Sequence, residues 1–520
     1  MSALLVMLGI LVALSTTFRV AAAERLLGAA APGPYAGKDR AAYAAVSSFH
    51  LDDRLVGTYY FYWYDTHSGA HLVDPDGTDA LQDHPATMAG FSWREVAWHE
   101  RELRDMAAAG IDFVLPVYWG SHQEGEWAYG GLEVLVAALE RLERTKIAAP
   151  KVGMFFDTSA LQQVAGGPID LTTDWGKRTF YRMIRDFYSA IPPRFWAAID
   201  RRPIVFLYSA AFAARYDASL LEYVKASFRA DFGGLEPYVV AEVSWQLPAD
   251  ARYRWGAALS GPALLDVVSV GPGYNDSAVP GRTTPIRDRE GGRFYRLAWS
   301  RALAWLARVQ TQPQIIVVET WNEFHEGTDI ASSREYGRQY IEMTAAFVER
   351  FKAGRMIAPP PGPYTGASEV SIRLGARNDA RGLVQVEHED GRTTPAEAGG
   401  ETGRRPVPTR FGGMYIYFQV DDSFLADAAG AAVDVTVRYY DERPGWIRID
   451  YDSTDPRATL QGAYKPTRAV PLSGDGSWHE TTFHLPDPFS ANRQNAAADL
   501  RLAMPHEGVI IASVHIRRSH

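Results

Sequence analysis

The chain has 520 residues, of which 47% are hydrophobic, and a formal net charge of −9. This length exceeds that of one ordinary domain, and the composition is that of a globular protein with enough apolar side chains for large cores. The negative charge argues against a nucleic-acid partner, and the absence of cysteine excludes disulfides, thiolate catalysis and iron–sulfur clusters.

The N-terminus predicts a signal peptide over residues 1–23. Residues 3–14 form an apolar stretch that is short for a membrane span, and residues 20–23 offer small side chains for cleavage. We therefore expect a secreted or periplasmic protein with no membrane partner after cleavage. Because no Lys or Arg precedes the apolar stretch, an uncleaved anchor is the alternative.

After a lead-in segment at 24–47, short apolar runs alternate with amphipathic helical stretches through residues 48–357. This alternation is typical of βα units, and eight such runs predict an α/β fold, the (β/α)8 TIM barrel. The predicted helices cover 93–109, 174–190 with Asp174 as N-cap, 293–309 and 335–353. The predicted strands cover 55–62, 111–118, 151–156, 203–208, 238–243, 255–259, 265–270 and 314–320.

A proline-rich linker is predicted at 358–364, since residues 359–363 read Pro-Pro-Pro-Gly-Pro. Beyond it, apolar and polar residues alternate, which predicts a C-terminal all-β sandwich at 365–520. We expect a jelly-roll accessory domain like a carbohydrate-binding module, which either binds polysaccharide or only packs, with Trp446 and Trp478 in its core. Its predicted strands cover 414–420, 433–440, 446–452, 480–484, 499–503 and 509–516.

The last barrel strand leads directly into a group of polar residues. Residues 315–318 are β-branched and predict a strand buried on both faces, and Asn322, Glu323, His325 and Glu326 follow it. In such barrels the carboxyl ends of the strands carry the catalytic groups. Two carboxylates are what hydrolysis of a glycosidic bond requires. The sequence therefore predicts Glu323 and Glu326 as the catalytic pair of a glycoside hydrolase that uses no cofactor and no metal.

Further side chains at the strand ends are suited to holding a sugar, because aromatic rings accept its C–H faces and polar groups bond its hydroxyls. Strand alternation would place Glu319 on the same face as Glu323, as a buried carboxylate that supports the site. The residues predicted to bind substrate are Tyr62, Trp63, Tyr118, Trp119, Asp157, Tyr208, Glu242, Tyr274, Asn322 and His325.

Several segments carry a resemblance to a known family, namely 57–64, His99 with 106–111 and 113–120, 269–274, 321–328, 335–337 and Tyr340. Through these segments the barrel resembles glycoside hydrolase family 99, the endo-acting α-mannosidases and α-mannanases, and related barrels with an added C-terminal β domain. The resemblance covers roughly residues 50–350. It implies that Glu323 is a base at the sugar 2-hydroxyl and Glu326 the general acid/base at the leaving oxygen. It further implies an endo-acting, retaining reaction on an α-mannoside-like substrate through a 1,2-anhydro sugar.

The sequence departs from that family at two strand ends. Asp157 stands where the family has a glutamate, and residues 207–210 lack the acidic residue expected there. Glycosidic bond cleavage is therefore better supported than mannose as the sugar, and the expected partner is a polysaccharide or glycan. The alternatives are a catalytically inactive carbohydrate-binding barrel and a metal-dependent hydrolase, for which His325 and Glu326 supply too few ligands.

Overall fold

The computed structural model describes most of the chain from residue 32 onward. The predicted signal peptide lies outside the described residues, among which no helix is long and apolar enough to cross a bilayer. Contacts divide the chain into two compact units, each described separately below; the second takes in 260–262, 296–309 and the chain from 356 onward. The domain limits given above stay predictions. The described residues are 32–46, 48–120, 127–282, 286–309, 311–357, 361–388, 390–408, 414–425, 431–455, 457–460 and 462–519.

The first unit contains a parallel barrel of eight strands, as the alternation of apolar runs predicts. The strands lie in the order β6-β5-β4-β3-β2-β1-β8-β7, and all neighbouring pairs are parallel. No described ladder joins β6 to β7, so the barrel is nearly closed. The strands are β1 Arg54–Tyr60, β2 Phe113–Tyr118, β3 Met154–Phe156, β4 Arg202–Leu207, β5 Tyr238–Glu242, β6 Ala251–Tyr253, β7 Val267–Val270 and β8 Gln314–Val318.

Helices connect these strands. The helix predicted to start at Asp174 does so, but its N-cap is Thr173, whose side chain accepts a hydrogen bond from Gly176 N. The helices are α1 Val96–Ala108, α2 Trp127–Arg144, α3 Ala160–Ala165, α4 Asp174–Ala190, α5 Ser219–Asp231, α6 Ala257–Ser260, α7 Arg293–Leu306 and α8 Gln339–Lys352.

The sixth predicted strand, 255–259, is wrong. The strand lies earlier, at Ala251–Tyr253, and residues 257–260 form the short helix α6. Gly256 separates the two with a φ of +106°, a backbone conformation that L side chains rarely adopt. An apolar run of five residues does not distinguish a strand from a short buried helix, which is why the sequence pattern misplaced this element.

Aromatic rings fill the barrel interior. Tyr59, Phe155 and Phe206 come from strands that are not all neighbours, yet Tyr59 lies 4.7 Å from Phe155 and 6.2 Å from Phe206 between ring centroids. All three side chains are buried. On β1, a Cβ at Gly57 would lie 2.4 Å from the Phe113 ring, so glycine is required for this packing. The result is a closely packed support for the strand ends.

The second unit contains an all-β domain with two antiparallel sheets, which confirms the predicted change of fold class. One has seven strands (β9, β10, β12, β13, β15, β19 and β21) and the other six (β11, β14, β16, β17, β18 and β20). A short helix α9 spans Asp422–Leu425. The strands are β9 Glu369–Arg373, β10 Asp379–Arg381, β11 Leu383–Val386, β12 Arg392–Ala398, β13 Glu401–Val407, β14 Tyr415–Val420, β15 Val433–Asp441, β16 Pro444–Tyr451, β17 Lys465–Pro466, β18 Val470–Ser473, β19 Ser477–Leu485, β20 Leu500–Ala503 and β21 Val509–Arg518.

The sequence pattern finds six strands of this domain and misses seven. All six predicted strands are present within a few residues, whereas β9 to β13, β17 and β18 were not predicted. β12 has no buried residue and therefore no apolar face to detect, but β9 buries Val370 and Ile372 and was missed all the same. Trp446 and Trp478 are only half-buried and do not belong to the apolar core between the sheets, contrary to the expectation for both.

Candidate active site

The segment after β8 is held against the end of β1. β8 ends at Val318, and Trp321 N donates to Tyr59 O at 2.9 Å. The Asn322 amide pairs with both backbone groups of Phe61, accepting from its N–H and donating to its carbonyl, each at 2.8 Å. The structure therefore uses the Asn322 side chain to position the neighbouring Glu323.

Glu323 and His325 form a hydrogen-bonded pair. Glu323 Oε1 accepts from His325 Nδ1 at 2.7 Å, and His325 Nε2 donates to the carbonyl of His71 at 3.0 Å. Burial alone would lower the pKa of His325, but the charge of Glu323 and these hydrogen bonds raise it. Both ring nitrogens of His325 face acceptors, which favours the imidazole form that carries a proton on each nitrogen. Glu323 Oε2 is buried without a hydrogen-bond partner. It is therefore available to accept a proton, or a hydrogen bond from a hydroxyl group.

Glu326 lies in a different environment. Burial raises its pKa, and the neighbouring charge of Glu323 raises it further, while Arg282 acts in the opposite direction. Arg282 Nη1 lies 2.6 Å from Glu326 Oε1 and 3.1 Å from Asp276 Oδ2. The Tyr274 hydroxyl donates to the same Asp276 carboxylate at 2.9 Å. Glu326 is thus the carboxyl of the pair that favours its protonated form.

Arg282 and Asp276 were missed by the sequence analysis, which found only Tyr274 in this loop. Neither residue belongs to a periodic pattern or a recognisable motif. The available signal was positional: the loop after β7 neighbours the loop after β8, because these strands pair directly. Charged residues on adjacent loops at the carboxyl end of a barrel are expected to meet.

Arg289 holds the backbone of the loop after β8. It donates to the carbonyls of Gly327 and Asp329 at 3.0 and 2.8 Å, and it pairs with the carboxylates of Asp83 and Asp329 at 2.9 Å each. Its guanidinium also lies 4.2 Å from the Tyr336 ring centroid. Gly327, next to Glu326, adopts a φ of +55°. The buried guanidinium of Arg289 therefore fixes the turn next to Glu326.

Replacing Arg289 by Met is expected to lower the free energy of unfolding by about 3–5 kcal/mol, since Asp83 and Asp329 would remain buried without a counter-charge. Urea unfolding of the full chain measures this change. The matched control is Arg293→Met, which removes an exposed pair with Glu290 and should cost about 1 kcal/mol or less. Equal losses in both variants would contradict the anchoring role of Arg289.

Four of the predicted substrate residues lie close together. The Trp63 ring is 5.8 Å from that of His325 and 5.8 Å from that of Trp119, both measured between centroids. Trp119 Nε1 donates to Asp157 Oδ2 at 2.7 Å, and burial raises the pKa of Asp157. Trp63 and Trp119 are half-buried, so part of each ring stays open to a ligand. The structure thus brings aromatic surface beside the Glu323–His325 pair.

Tyr62 and Tyr118 contribute to packing instead. Neither side chain has exposed surface. The Tyr62 hydroxyl donates to the carbonyl of Ala128, and the Tyr118 ring packs 5.3 Å from that of Phe187. Their place at the strand ends suggested subsites, but both rings point into the layer of helices, where a sugar has no access.

The fourth and fifth strand ends carry Tyr208 and Glu242. Burial raises the pKa of Tyr208 most, and the charges of Asp157 and Glu326 raise it further. The Tyr208 hydroxyl therefore interacts electrostatically with both carboxyls. Glu242 accepts hydrogen bonds from the backbone and hydroxyl of Ser244 and stabilises its own turn. The sequence analysis missed Trp255 as a site aromatic; its ring lies 5.6 Å from that of Tyr208 and is half-buried.

Glu319 supports the turn after β6. Its Oε2 accepts from Gly256 N at 2.9 Å and Ala257 N at 2.7 Å, at the start of α6. The expectation that Glu319 and Glu323 share one face of a strand is wrong, because β8 ends at Val318, before either residue. Burial raises the pKa of Glu319 to about 8, and the two N–H groups offset part of this rise. At neutral pH this carboxyl is mainly protonated.

Three side chains that could share a metal ion do not lie at the carboxyl ends of the barrel strands. Asp441, Asp475 and His479 place ligand atoms within 4.8 Å of one another, and in the described part of the chain they form the one such group. They belong to the β domain. At the barrel, the hydrogen bonds of His325 occupy both of its ring nitrogens.

Comparison with known proteins supports the expected resemblance. Residues 56–359 match a family described as a domain of unknown function, DUF5010. Over 108 residues the chain is 33% identical to a glycoprotein endo-α-1,2-mannosidase of Mus musculus, covering 18% of this chain and 22% of the relative. It is 41% identical over 68 residues to an endo-α-1,2-mannosidase-like protein of Danio rerio, covering 13% of this chain and 14% of the relative.

The similarity to these relatives is confined to short segments, since the chain spans less than a quarter of the length of each. Among solved structures, the chain is similar to a GH99 endo-α-mannosidase from Bacteroides thetaiotaomicron. That match has 18% identity and a TM-score of 0.43, and covers 58% of this chain and 99% of the other.

Proposed function

The chain belongs to the DUF5010 family, and from the geometry of its site we propose that it is a retaining glycoside hydrolase that cleaves within an α-mannoside-like glycan. The observation that carries the proposal is the unequal environment of two neighbouring carboxyls. Glu323 forms a hydrogen bond with His325, whereas burial and the charge of Glu323 raise the pKa of Glu326. The short similarity to proteins named endo-α-mannosidases supports the sugar class.

The proposed first step forms a 1,2-anhydro sugar. Glu323 removes the proton of the 2-hydroxyl, and that oxygen attacks the anomeric carbon as the glycosidic bond breaks. Glu326 donates its proton to the leaving oxygen. In the second step water opens the anhydro ring: Glu326 takes the proton of the water, and the 2-oxygen regains its proton from Glu323. Two displacements at the anomeric carbon give net retention, without a covalent bond between sugar and enzyme.

Retention is the direct test of this route. Proton NMR of the first-formed reducing sugar, recorded before mutarotation, is expected to show the same anomer as the substrate. An inverted first product would exclude the anhydro route and the roles assigned to both carboxyls. A glycan panel that includes α-mannans, with product analysis, identifies the sugar. Absence of hydrolysis across the panel would favour the inactive binding barrel.

Arg282→Gln tests how the acid is tuned. Arg282 lowers the pKa of Glu326 against the larger effect of burial, so its removal should raise that pKa. Glu326 must be protonated to act on the leaving group, and the alkaline limb of the kcat/KM profile should therefore move to higher pH. Arg282→Lys keeps the charge and should leave the limb near its original position. A limb unmoved in Arg282→Gln would contradict the contact.

Export through the predicted signal peptide is part of the same proposal, since a polysaccharide substrate lies outside the cell. N-terminal sequencing of the protein from culture medium or periplasm should give a mature chain that begins near Glu24. An intact N-terminus in the membrane fraction would support the uncleaved anchor instead.

A further inference from the structure

The outer face of the six-stranded sheet in the β domain carries aromatic and charged side chains. Ile416 of β14 and Leu502 of β20 belong to the core, so alternation places Tyr415, Tyr417 and Arg501 on the opposite face. The antiparallel ladder pairs Tyr417 directly with Arg501. We call the part of this surface that is not buried the aromatic face, and it comprises Tyr415, Tyr464, Arg448, Arg501, Asn495 and Asp390.

Arg501 organises the rings of the aromatic face. Its guanidinium lies 3.7 Å from the centroid of the Tyr415 ring and 4.5 Å from that of the Tyr464 ring. It donates to the Tyr417 hydroxyl and to Asp450 Oδ2, each at 2.9 Å. Tyr415 and Tyr464 nevertheless stay half-buried, with part of each ring exposed. Two ring surfaces are therefore held in place before any ligand arrives.

Polar groups with defined orientations border these rings. Asn495 Nδ2 donates to Asp390 Oδ2 at 3.1 Å and to the Tyr417 hydroxyl at 3.3 Å. Arg448 donates to Asp450 Oδ1 at 2.8 Å and lies 5.2 Å from the Trp446 ring centroid. The two arginines and the two aspartates balance in charge. Such a surface offers hydrogen bonds without attracting an ion, which fits an uncharged, hydroxyl-rich ligand.

The outer face of the other sheet is different. Its exposed side chains pair across strands, as in the Thr436–Thr482 hydrogen bond and the Arg438–Glu401 ion pair. Trp478 lies there beneath Arg438, and its Nε1 donates to the carbonyl of Ala398. This is an ordinary solvated sheet face, and Trp478 supplies a matched control for a half-buried aromatic under an arginine.

We propose that the aromatic face binds a neutral polysaccharide chain, as a second sugar site on this protein. Pyranose C–H faces would lie on the exposed parts of Tyr415 and Tyr464, and sugar hydroxyls would exchange hydrogen bonds with Asn495, Arg448 and Asp390. This inference goes beyond the proposed function, because it concerns binding to polymer and holds whether or not the barrel cleaves the same chain.

Affinity electrophoresis of the full-length protein tests the site, with soluble α-mannan, mixed-linkage β-glucan or xylan in the gel. Glu326→Gln serves as the background so that the polymer is not cleaved. The protein is expected to be retarded by at least one neutral polymer. Tyr415→Ala and Tyr464→Ala should each raise the dissociation constant by about tenfold. Trp478→Ala should bind like its parent.

Further results separate the alternatives. With Glu326 restored, Tyr415→Ala and Tyr464→Ala should cleave a short soluble glycoside with unchanged kcat/KM. Arg501→Lys, which keeps the charge but loses the planar stack, should bind polymer more weakly. The proposal is overturned if no neutral polymer retards the protein, if only an anionic polysaccharide does, or if Trp478→Ala weakens binding as much. The electrophoretic readouts do not depend on whether the barrel is catalytic, so they test the aromatic face separately from the proposed function.

Discussion

Replacing Glu326 by Gln is expected to lower kcat on a glycan by about 10²- to 10⁴-fold, because the leaving oxygen would depart without a proton. The substitution removes the ionisable group while keeping its size, so the melting temperature should change little. An aryl glycoside of the same sugar, with an acidic phenol as leaving group, needs no proton donor. Its cleavage should therefore fall far less in this variant. Initial rates on both substrates measure the difference.

A buried carboxyl on the same loop provides the control. Glu319 has its pKa raised to about 8 by burial and is mainly protonated at neutral pH, so Glu319→Gln replaces a neutral acid by a neutral amide. We expect this variant to keep most of the activity on both substrates at pH 6–7. If Glu326→Gln retained near-native activity on the glycan, Glu326 would not be the general acid.

Replacing Glu323 by Gln should lower kcat on both substrates to a similar degree, by about 10²- to 10⁴-fold. The reason is that the base at the 2-hydroxyl is required whatever the leaving group. The contrast with Glu326→Gln assigns one role to each carboxyl. His325→Gln should lower activity less, because it removes the partner of Glu323 and leaves the base itself.

A substrate analogue tests Glu323 independently of mutation. A 2-deoxy glycoside has no hydroxyl for Glu323 to activate, so in the proposed route the unmutated protein should bind it and leave it intact. Product analysis by chromatography measures its cleavage. Efficient hydrolysis of the 2-deoxy compound would exclude the anhydro route even if both glutamine variants were inactive.

The sequence alone predicted those strands and helices whose burial follows a simple pattern along the chain. Four β-branched residues at 315–318 predicted β8, because a strand buried on both faces needs no polar side chain. Glu323 and Glu326 were found because they are polar residues that follow this buried strand closely in the sequence. In the β domain, alternation located β14 and β20 but not β9, although Val370 and Ile372 give that strand one apolar face.

The sequence could not determine which strand-end residues face a ligand. Tyr62 and Trp63 are adjacent aromatics, yet Tyr62 is fully buried against Ala128 while Trp63 lies beside His325. That difference depends on the helices around the barrel, which are distant in sequence. The same holds for the sixth strand, where Gly256 turns the backbone toward Glu319, 63 positions later in the chain.

What the sequence determined by itself was the barrel, the change to an all-β domain and the two candidate carboxyls, because local periodicity encodes burial. Only the tertiary structure decided the unequal environments of those carboxyls. Arg282 reaches Glu326 from the loop after β7, and His71 orients His325 from the loop after β1. Charges that act across loops depend on distance in space, and no pattern along the chain records that distance.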